Sequence, residues 1–186
     1  ISVYEMVAAY NTFPSKGVYV TPIFVTRIED NMGNVIGEFN NTKREAIGEH
    51  TAYLMANLMQ GVVNSGTGVR LRAKYGLKGE IAGKTGTTND QSDGWFIGYT
   101  PTLTAGVWVG AEDRQVHFES LALGGGSNMA LPIWGLFMQK VLKDGTLGVS
   151  ENDRFVPSGV KLELNCDGSD ADAVGSAQDD ESLYFD

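Results

Sequence analysis

One short segment of this sequence concentrates groups that can do chemistry: Gly83-Lys84-Thr85-Gly86-Thr87-Thr88. It puts an ammonium, three hydroxyls and two glycines on six consecutive residues. Alternate residues of a β-strand share a face, so Thr85 and Thr87 point the same way. Gly83 and Gly86 remove side chains where a ligand or another backbone approaches closely. Such a strand offers an anionic substrate a cation, hydroxyl donors and backbone N–H groups. The same residues also suit an ordinary sheet edge guarded by a lysine and closed by Thr88-Asn89-Asp90, standard turn chemistry. Alone, the segment does not choose between the two.

Other chemistry is sparse. His50 and His117 are the only histidines and Cys166 the only cysteine, so neither an internal disulfide nor a multi-Cys zinc site exists. Asp93, Glu112 and Asp113 read as solvated loop carboxylates without metal-ligand spacing, and no cofactor is implied. The 186 residues carry a net charge of −9 from 14 Lys+Arg and 23 Asp+Glu. Seven of those acids fall within residues 167–186, which hold no Lys or Arg, so residues 1–166 keep 16 acids against 14 bases and a net charge of −2. A near-neutral body excludes the basic footprint that phosphate neutralisation requires, so no nucleic-acid partner is expected. The cluster Arg70, Arg72, Lys74 and Lys78 reads as a solvated helix face. No run of about 18 apolar residues is present to span a membrane.

The elements that must position the segment follow from periodicity. Val3, Met6, Val7 and Tyr10 recur at helical spacing over 1–13, with Pro14 closing the helix. The stretch 18–28 is β-branched and aromatic, and Asn31-Met32-Gly33-Asn34 turns it into Val35 to Phe39 as a hairpin. A helix is predicted from Thr42 or Lys43 to Val63, broken by Asn64-Ser65-Gly66-Thr67-Gly68, with a short helix over 69–75. Three strands follow, over 80–87, 94–99 and 103–111. Gly124-Gly125-Gly126 reads as a flexible joint, and a helix follows from Met129 to Leu142 with Pro132 in its first turn. Trp95, Trp108 and Trp134 lie inside these patterns and read as core. Helices at both ends of sequentially adjacent strands predict an α+β fold, helices packed on an antiparallel sheet. The segment from 167 on, rich in Asp, Ser, Ala and Gly, reads as a disordered acidic tail.

Lys84-Thr85-Gly86 is the third signature of the penicillin-recognising serine acyltransferases, whose first two are S-x-x-K and S-D-N. Its surroundings match one branch of that family. Asn64-Ser65-Gly66-Thr67-Gly68 precedes it. Asp93-Gly94-Trp95-Phe96-Ile97-Gly98-Tyr99-Thr100-Pro101, Gly106-Val107-Trp108-Val109-Gly110, Gly124-Gly125 and Ala130-Leu131-Pro132-Ile133-Trp134 follow. In this order the blocks, spanning roughly 2–157, resemble the C-terminal portion of the transpeptidase domain of class A, bifunctional penicillin-binding proteins. Gly94 stands where that family usually has Ala.

The resemblance implies a serine β-lactamase/penicillin-binding-protein-like fold and a D,D-transpeptidase reaction. A serine is acylated by the D-alanyl-D-alanine end of a peptidoglycan stem peptide, and an amine of a neighbouring stem attacks the acyl-enzyme. It implies that Lys84 polarises the site and that Thr85 and Thr87 hold the substrate carboxylate (which β-lactams also carry), with Gly86 and Thr88 counted among the substrate-binding residues. The Thr87 backbone N–H would be one oxyanion-hole donor. It also implies a membrane-anchored parent on the periplasmic side, carrying a glycosyltransferase domain.

The nucleophile is missing from this pattern. S-x-x-K occurs only at Ser158-Gly159-Val160-Lys161 and S-x-N only at Ser150-Glu151-Asn152, both after K-T-G, the reverse of the family order. The expectation is a partial domain over 1–157, an extension over 158–186, and the true first and second motifs upstream. Such a chain should be inactive alone, and its uncovered apolar surface should favour self-association. The competing readings are a D,D-carboxypeptidase or β-lactamase relative, in which water replaces the amine, and a non-catalytic peptide-binding module of the same fold.

Overall fold

The computed structural model describes residues 1–157 and Gly159; the acidic tail and the Ser158-x-x-Lys161 stretch lie outside the described residues. Helix α1 spans Val3–Tyr10. Ser2 and Glu5 close its first turn reciprocally: Glu5 N–H donates to Ser2 Oγ (3.2 Å) and Ser2 N–H to Glu5 Oε2 (2.8 Å). This capping box satisfies donors that a helix start leaves orphaned. These bonds hold the Glu5 carboxyl below its ordinary pKa.

The next segment departs from the sequence expectation. Instead of one strand over 18–28 there are two, β1 (Val18–Val20) and β2 (Arg27–Glu29). β2 pairs with β3 (Val35–Glu38) as the predicted hairpin, while β1 pairs antiparallel with β4 (Lys43–Glu45). The helix predicted from Thr42 therefore starts later, at Glu49, and α2 runs Glu49–Asn64. Non-local pairing overrides helical spacing here. Lys43 to Glu45 lie against Val20 to Val18, and the Gly17 carbonyl then takes the N–H groups of Ala46 and Ile47. α3 is a single turn, Arg70–Ala73.

The centre of the molecule is a three-stranded antiparallel meander, β5 (Ala82–Thr87), β6 (Asp93–Tyr99) and β7 (Thr104–Gly110), in that order. After a short helix α4 (Leu121–Gly124) the main C-terminal helix α5 spans Ala130–Lys143. The register sorts the two sheet faces. Gly86, Trp95 and Trp108 align across the strands, as do Lys84, Ile97 and Gly106, on one face. Thr85, Phe96 and Val107 align on the other.

Helix α1 covers part of the first face. A Cβ on Gly106 would meet Val7 Cγ2 at 2.6 Å, so glycine is what lets this helix sit against β7. α5 covers the second face, where Trp134 is fully buried and meets Phe96 edge-on at 5.3 Å. Leu71, Tyr75, Leu131 and Met138 complete that cluster. Such an aromatic pair contributes about 0.5–1.5 kcal/mol beyond its buried area. α2 straddles the β5 side of the sheet. Met59 joins Tyr99 and Ala82 at the first face, and Val63 joins the Phe96–Trp134 cluster at the second.

These contacts correct the core expectation for two of the three tryptophans. Trp134 is core, whereas Trp108 is 40% exposed and Trp95 half-buried, both on the face that α1 leaves partly open. The solvated face expected for the basic cluster is also wrong in part. Arg72 points inward and donates to Asn64 Oδ1, Leu77 O and Gly79 O, its guanidinium pKa lowered by burial. Arg70 donates to Ser127 O and to the Asn128 side chain, tying α3 to the loop before α5.

Candidate active site on strand β5

β5 is an outer strand of the meander, and the phase of its ladder decides what it presents. Thr88 N–H donates to Asp93 O (3.2 Å), so Thr88 and Asp93 form a hydrogen-bonded pair. Bonded and non-bonded pairs alternate along an antiparallel ladder. The register from Thr87–Gly94 to Ala82–Tyr99 runs without a shift. Gly86 and Lys84 therefore exchange bonds with β6, while the N–H and C=O groups of Gly83, Thr85 and Thr87 point away from it. The Thr87 N–H is thus directed to the strand's outer edge.

Side chains converge on that edge from both faces. Lys84 is exposed on the first face, and its Nζ curls over the edge to donate to the Thr85 carbonyl (2.9 Å). Thr85 and Thr87 lie on the opposite face, as their spacing predicts. The Thr85 hydroxyl meets the Thr67 hydroxyl at 2.8 Å, where the chain turns from α2 towards α3. The Thr87 hydroxyl accepts from Gly126 N–H (3.0 Å), which leaves its own proton free to donate.

Gly124-Gly125-Gly126 is not the flexible joint the sequence suggests. All three are buried, Gly126 against the sheet, where a Cβ would lie 2.6 Å from the Trp95 carbonyl oxygen. Glycine is required for that close approach, and it delivers the N–H that holds Thr87.

Thr88 differs from its neighbours. Its hydroxyl bonds Ser92 Oγ (3.0 Å) and accepts from Asp93 N–H (3.0 Å), so it closes the turn to β6. That turn carries Asp90 and Gln91 at φ 59° and 52°, backbone that non-glycine residues adopt only at a cost. Asp93 is not a solvated loop residue; it opens β6 with Oδ1 buried.

A groove of about 630 Å³ runs along the first face from Lys84 and Gly86 past Trp95 and Trp108 to Asp93 and Arg114. Sequence reasoning missed Arg114, which sits in an irregular loop with no periodic signal. It singled out Thr67 only as a residue between two glycines. Ser150, of the displaced S-x-N, is tied in a local turn, its Oγ accepting from Asn152 N–H (3.1 Å). It does not line this groove. His117 is exposed, its Nδ1 beside the Phe118 carbonyl.

Comparison with known proteins decides the family. Residues 1–120 match the model of the penicillin-binding protein transpeptidase domain. The chain belongs to this family. Penicillin-binding protein 1A of Clostridium acetobutylicum is 36% identical over 155 residues, 83% of this chain and 18% of that protein. Penicillin-binding protein 1A of Aquifex aeolicus is 30% identical over 161 residues, covering 87% of this chain and 21% of its own length. The chain thus spans about a fifth of the length of these relatives. Among solved structures, PonA1 of Mycobacterium tuberculosis superposes with a TM-score of 0.67 at 27% identity, covering 83% of this chain and 41% of that one. Penicillin-binding protein 1A of Haemophilus influenzae gives a TM-score of 0.70 at 22% identity over 77% of this chain and 27% of its own. The fold is therefore the penicillin-binding transpeptidase type, a mixed α+β arrangement with an antiparallel sheet, as the resemblance implied.

Proposed function

We propose that this chain supplies the substrate-binding strand of a peptidoglycan D,D-transpeptidase, with the acylated serine and its lysine base contributed by protein outside these 186 residues. The observation that carries this reading is the edge of β5. An outward N–H at Thr87, the Lys84 ammonium and two buttressed hydroxyls together suit a substrate with a carbonyl to polarise and a carboxylate to hold. In the reaction the serine oxygen forms an ester with the penultimate D-alanyl carbonyl, and the terminal D-alanine leaves as the amine. A second amine then forms the new amide C–N bond as the ester C–O bond breaks, one of its protons returning to the serine oxygen.

The roles divide by chemistry. Thr87 N–H donates to the oxygen that becomes negative in each tetrahedral intermediate, where loss of one such donor costs about 3–4 kcal/mol. Thr85 and Thr87 hydroxyls donate to the substrate carboxylate, and Lys84 adds positive potential at short range. β-Lactams fit the same groups because they carry the equivalent carbonyl and carboxylate. A related fold, penicillin-binding protein A of M. tuberculosis, has been solved as an imipenem acyl-enzyme complex, a finding about that protein. We infer further that the parent works outside the cytoplasmic membrane, anchored by a segment beyond this chain and joined to a glycosyltransferase domain. Exposed Ile133, Leu136 and Phe137 on α5 favour association of the isolated chain, readable by sedimentation velocity.

Acylation of the full-length protein by a fluorescent penicillin tests the reading. Lys84→Ala should slow labelling by about 10²–10³-fold, the range for loss of a preorganised electrostatic group. Labelling of that variant at the wild-type rate would remove Lys84 from the site. The 186-residue chain by itself should take no label; stoichiometric acylation seen by intact mass would overturn that reading and restore Ser158 as a candidate nucleophile.

A further inference from the structure

The Thr85 hydroxyl has one hydrogen-bond partner among the described residues, the Thr67 hydroxyl at 2.8 Å. Lys84 does not serve it, since its ammonium donates to the Thr85 backbone carbonyl instead. Thr67 is exposed, so burial does not demand this bond. It is nevertheless carried on well-anchored backbone. Gly66 N–H donates to Gly61 O at 3.0 Å and Gly68 N–H to Val62 O at 2.8 Å, closing the turn on the end of α2. A Cβ on Gly66 would lie 2.9 Å from Val62 Cα and one on Gly68 3.1 Å from Val62 O, so the glycines flanking Thr67 admit that closure. Arg72 then ties the turn to the approach of β5. Its guanidinium donates to Asn64 Oδ1, on the last residue of α2, at 2.9 Å and to Gly79 O at 2.8 Å.

A hydroxyl has one proton to donate and two lone pairs to accept with, whereas a carboxylate only accepts. Between Thr67 and Thr85 alone, the proton can lie in either order. A carboxylate on Thr85 removes that freedom. Thr85 spends its proton on the anion, and its bond to Thr67 survives only with Thr67 as the donor.

We propose that Thr67 is a positioning residue for carboxylate recognition: it donates to Thr85 Oγ1 and so directs the Thr85 proton to the substrate carboxylate. The inference rests on the transpeptidase reading and adds to it a residue that acts through Thr85 alone. A hydroxyl that accepts a hydrogen bond becomes a better donor, so the chain from Thr67 through Thr85 to the anion is cooperative. The arm at Thr87 has the same plan, with Gly126 N–H as the donor behind the hydroxyl. An amide N–H can only donate, so the order at Thr87 is fixed in advance. At Thr85 the order is set by the charge of the ligand. A ligand without the carboxylate lets the Thr85 proton turn back to Thr67, and Thr67 then contributes nothing to binding. A tie that merely braced β5 would serve both kinds of ligand equally.

The test is acylation of the full-length protein by benzylpenicillin and by its methyl ester, which keeps the β-lactam carbonyl and loses the carboxylate. Rates are read by intact mass. Thr67→Val removes the donor at nearly constant volume. It should slow acylation by penicillin about five- to tenfold, the range for loss of one hydrogen bond, and narrow the preference for acid over ester by nearly as much. Thr67→Ser keeps the hydroxyl and should recover most of the rate and the preference. On a Thr85→Val background, Thr67→Val should add little, because the group it acts through is gone.

An unchanged penicillin rate in Thr67→Val overturns the proposal. So do equal losses against acid and ester, or losses that add in full on the Thr85→Val background; either would make Thr67 a support for the strand. A wild-type protein acylated equally fast by acid and ester removes the carboxylate from the β5 hydroxyls, and this role of Thr67 with it. Failure of penicillin to acylate the wild-type protein is a separate result, which overturns the transpeptidase reading itself.

Discussion

The β5–β6–β7 meander and the ribbon made of two separate strand pairs, β1 with β4 and β2 with β3, are antiparallel and short-stranded, yet different forces hold them. In the meander, β6 buries Gly94 and every residue from Phe96 to Tyr99, and a helix lies against each face. In the ribbon, every residue of β2 and β4 is exposed, as are Val35 and Ile36 of β3. The ribbon relies on local bonds. Asp30 Oδ1 accepts from Met32 and Asn34 N–H at 2.8 Å each and Oδ2 from the Asn34 amide, which fixes the hairpin turn. Arg27 pairs with Glu29 and, at 3.7 Å, with Glu38, but exposed ion pairs are worth only about 0–1 kcal/mol. The groups assigned to the substrate all sit on the meander, where burial fixes the strand to which they are attached. The β2–β3 hairpin, exposed along nearly all of both strands, tolerates substitution as long as its turn survives.

Truncation separates the two regions most sharply. Trp134→Ala removes the side chain that fills the space between α5 and Phe96, and should cost about 3–5 kcal/mol in chemical denaturation. Ile36→Ser, on the exposed face of the hairpin, should stay within about 0.5 kcal/mol, as surface substitutions do. Comparable losses in the two variants would mean that the ribbon is packed in solution and that the contrast between the regions is false. A loss of penicillin labelling in full-length Ile36→Ser, at unchanged stability, would give the ribbon a functional role that its contacts do not suggest.

What was legible in the sequence follows the same divide. The three strands could be read as short β-type runs between turn signals and the α5 helix from its apolar face, and the K-T-G strand could be read as a site because its neighbouring blocks come in a specific order. The fate of Lys43 to Glu45 could not. Three charged residues ahead of a helix-spaced run look like its first turn, and only Val18 to Val20, some 25 residues earlier, makes them a strand. Trp108 shows the reverse failure: its pattern says core, and exposure follows from which part of the sheet α1 happens to cover. Thr67 and Gly126, which hold the hydroxyls of Thr85 and Thr87, are 18 and 39 residues from their partners, so spacing carries no trace of either contact.

The smaller effect lies in pH, and it probes how well the meander is sealed. Tyr99 ends β6 fully buried, its hydroxyl donating to Met59 Sδ at 3.4 Å. Burial raises the phenol's pKa strongly, with the nearby Tyr10 adding a smaller contribution. The phenol is neutral when protonated, so a raised folded-state pKa leaves stability intact below the unfolded value of about 10. Above that pH the unfolded chain loses a proton that the folded chain keeps, and stability falls by up to roughly 1.4 kcal/mol per pH unit. Tyr99→Phe keeps the ring contacts with Phe13 and Phe155 and removes the titrating group. Its stability should match or fall slightly below wild type at pH 8 and decline less between pH 10 and 11. The residual slope belongs in part to half-buried Tyr10, whose pKa burial also raises. Parallel decline of the two proteins over that interval would show that water reaches the Tyr99 hydroxyl in the folded state. The end of β6 would then be as open as the ribbon, and burial could no longer be what holds the K-T-G strand in place.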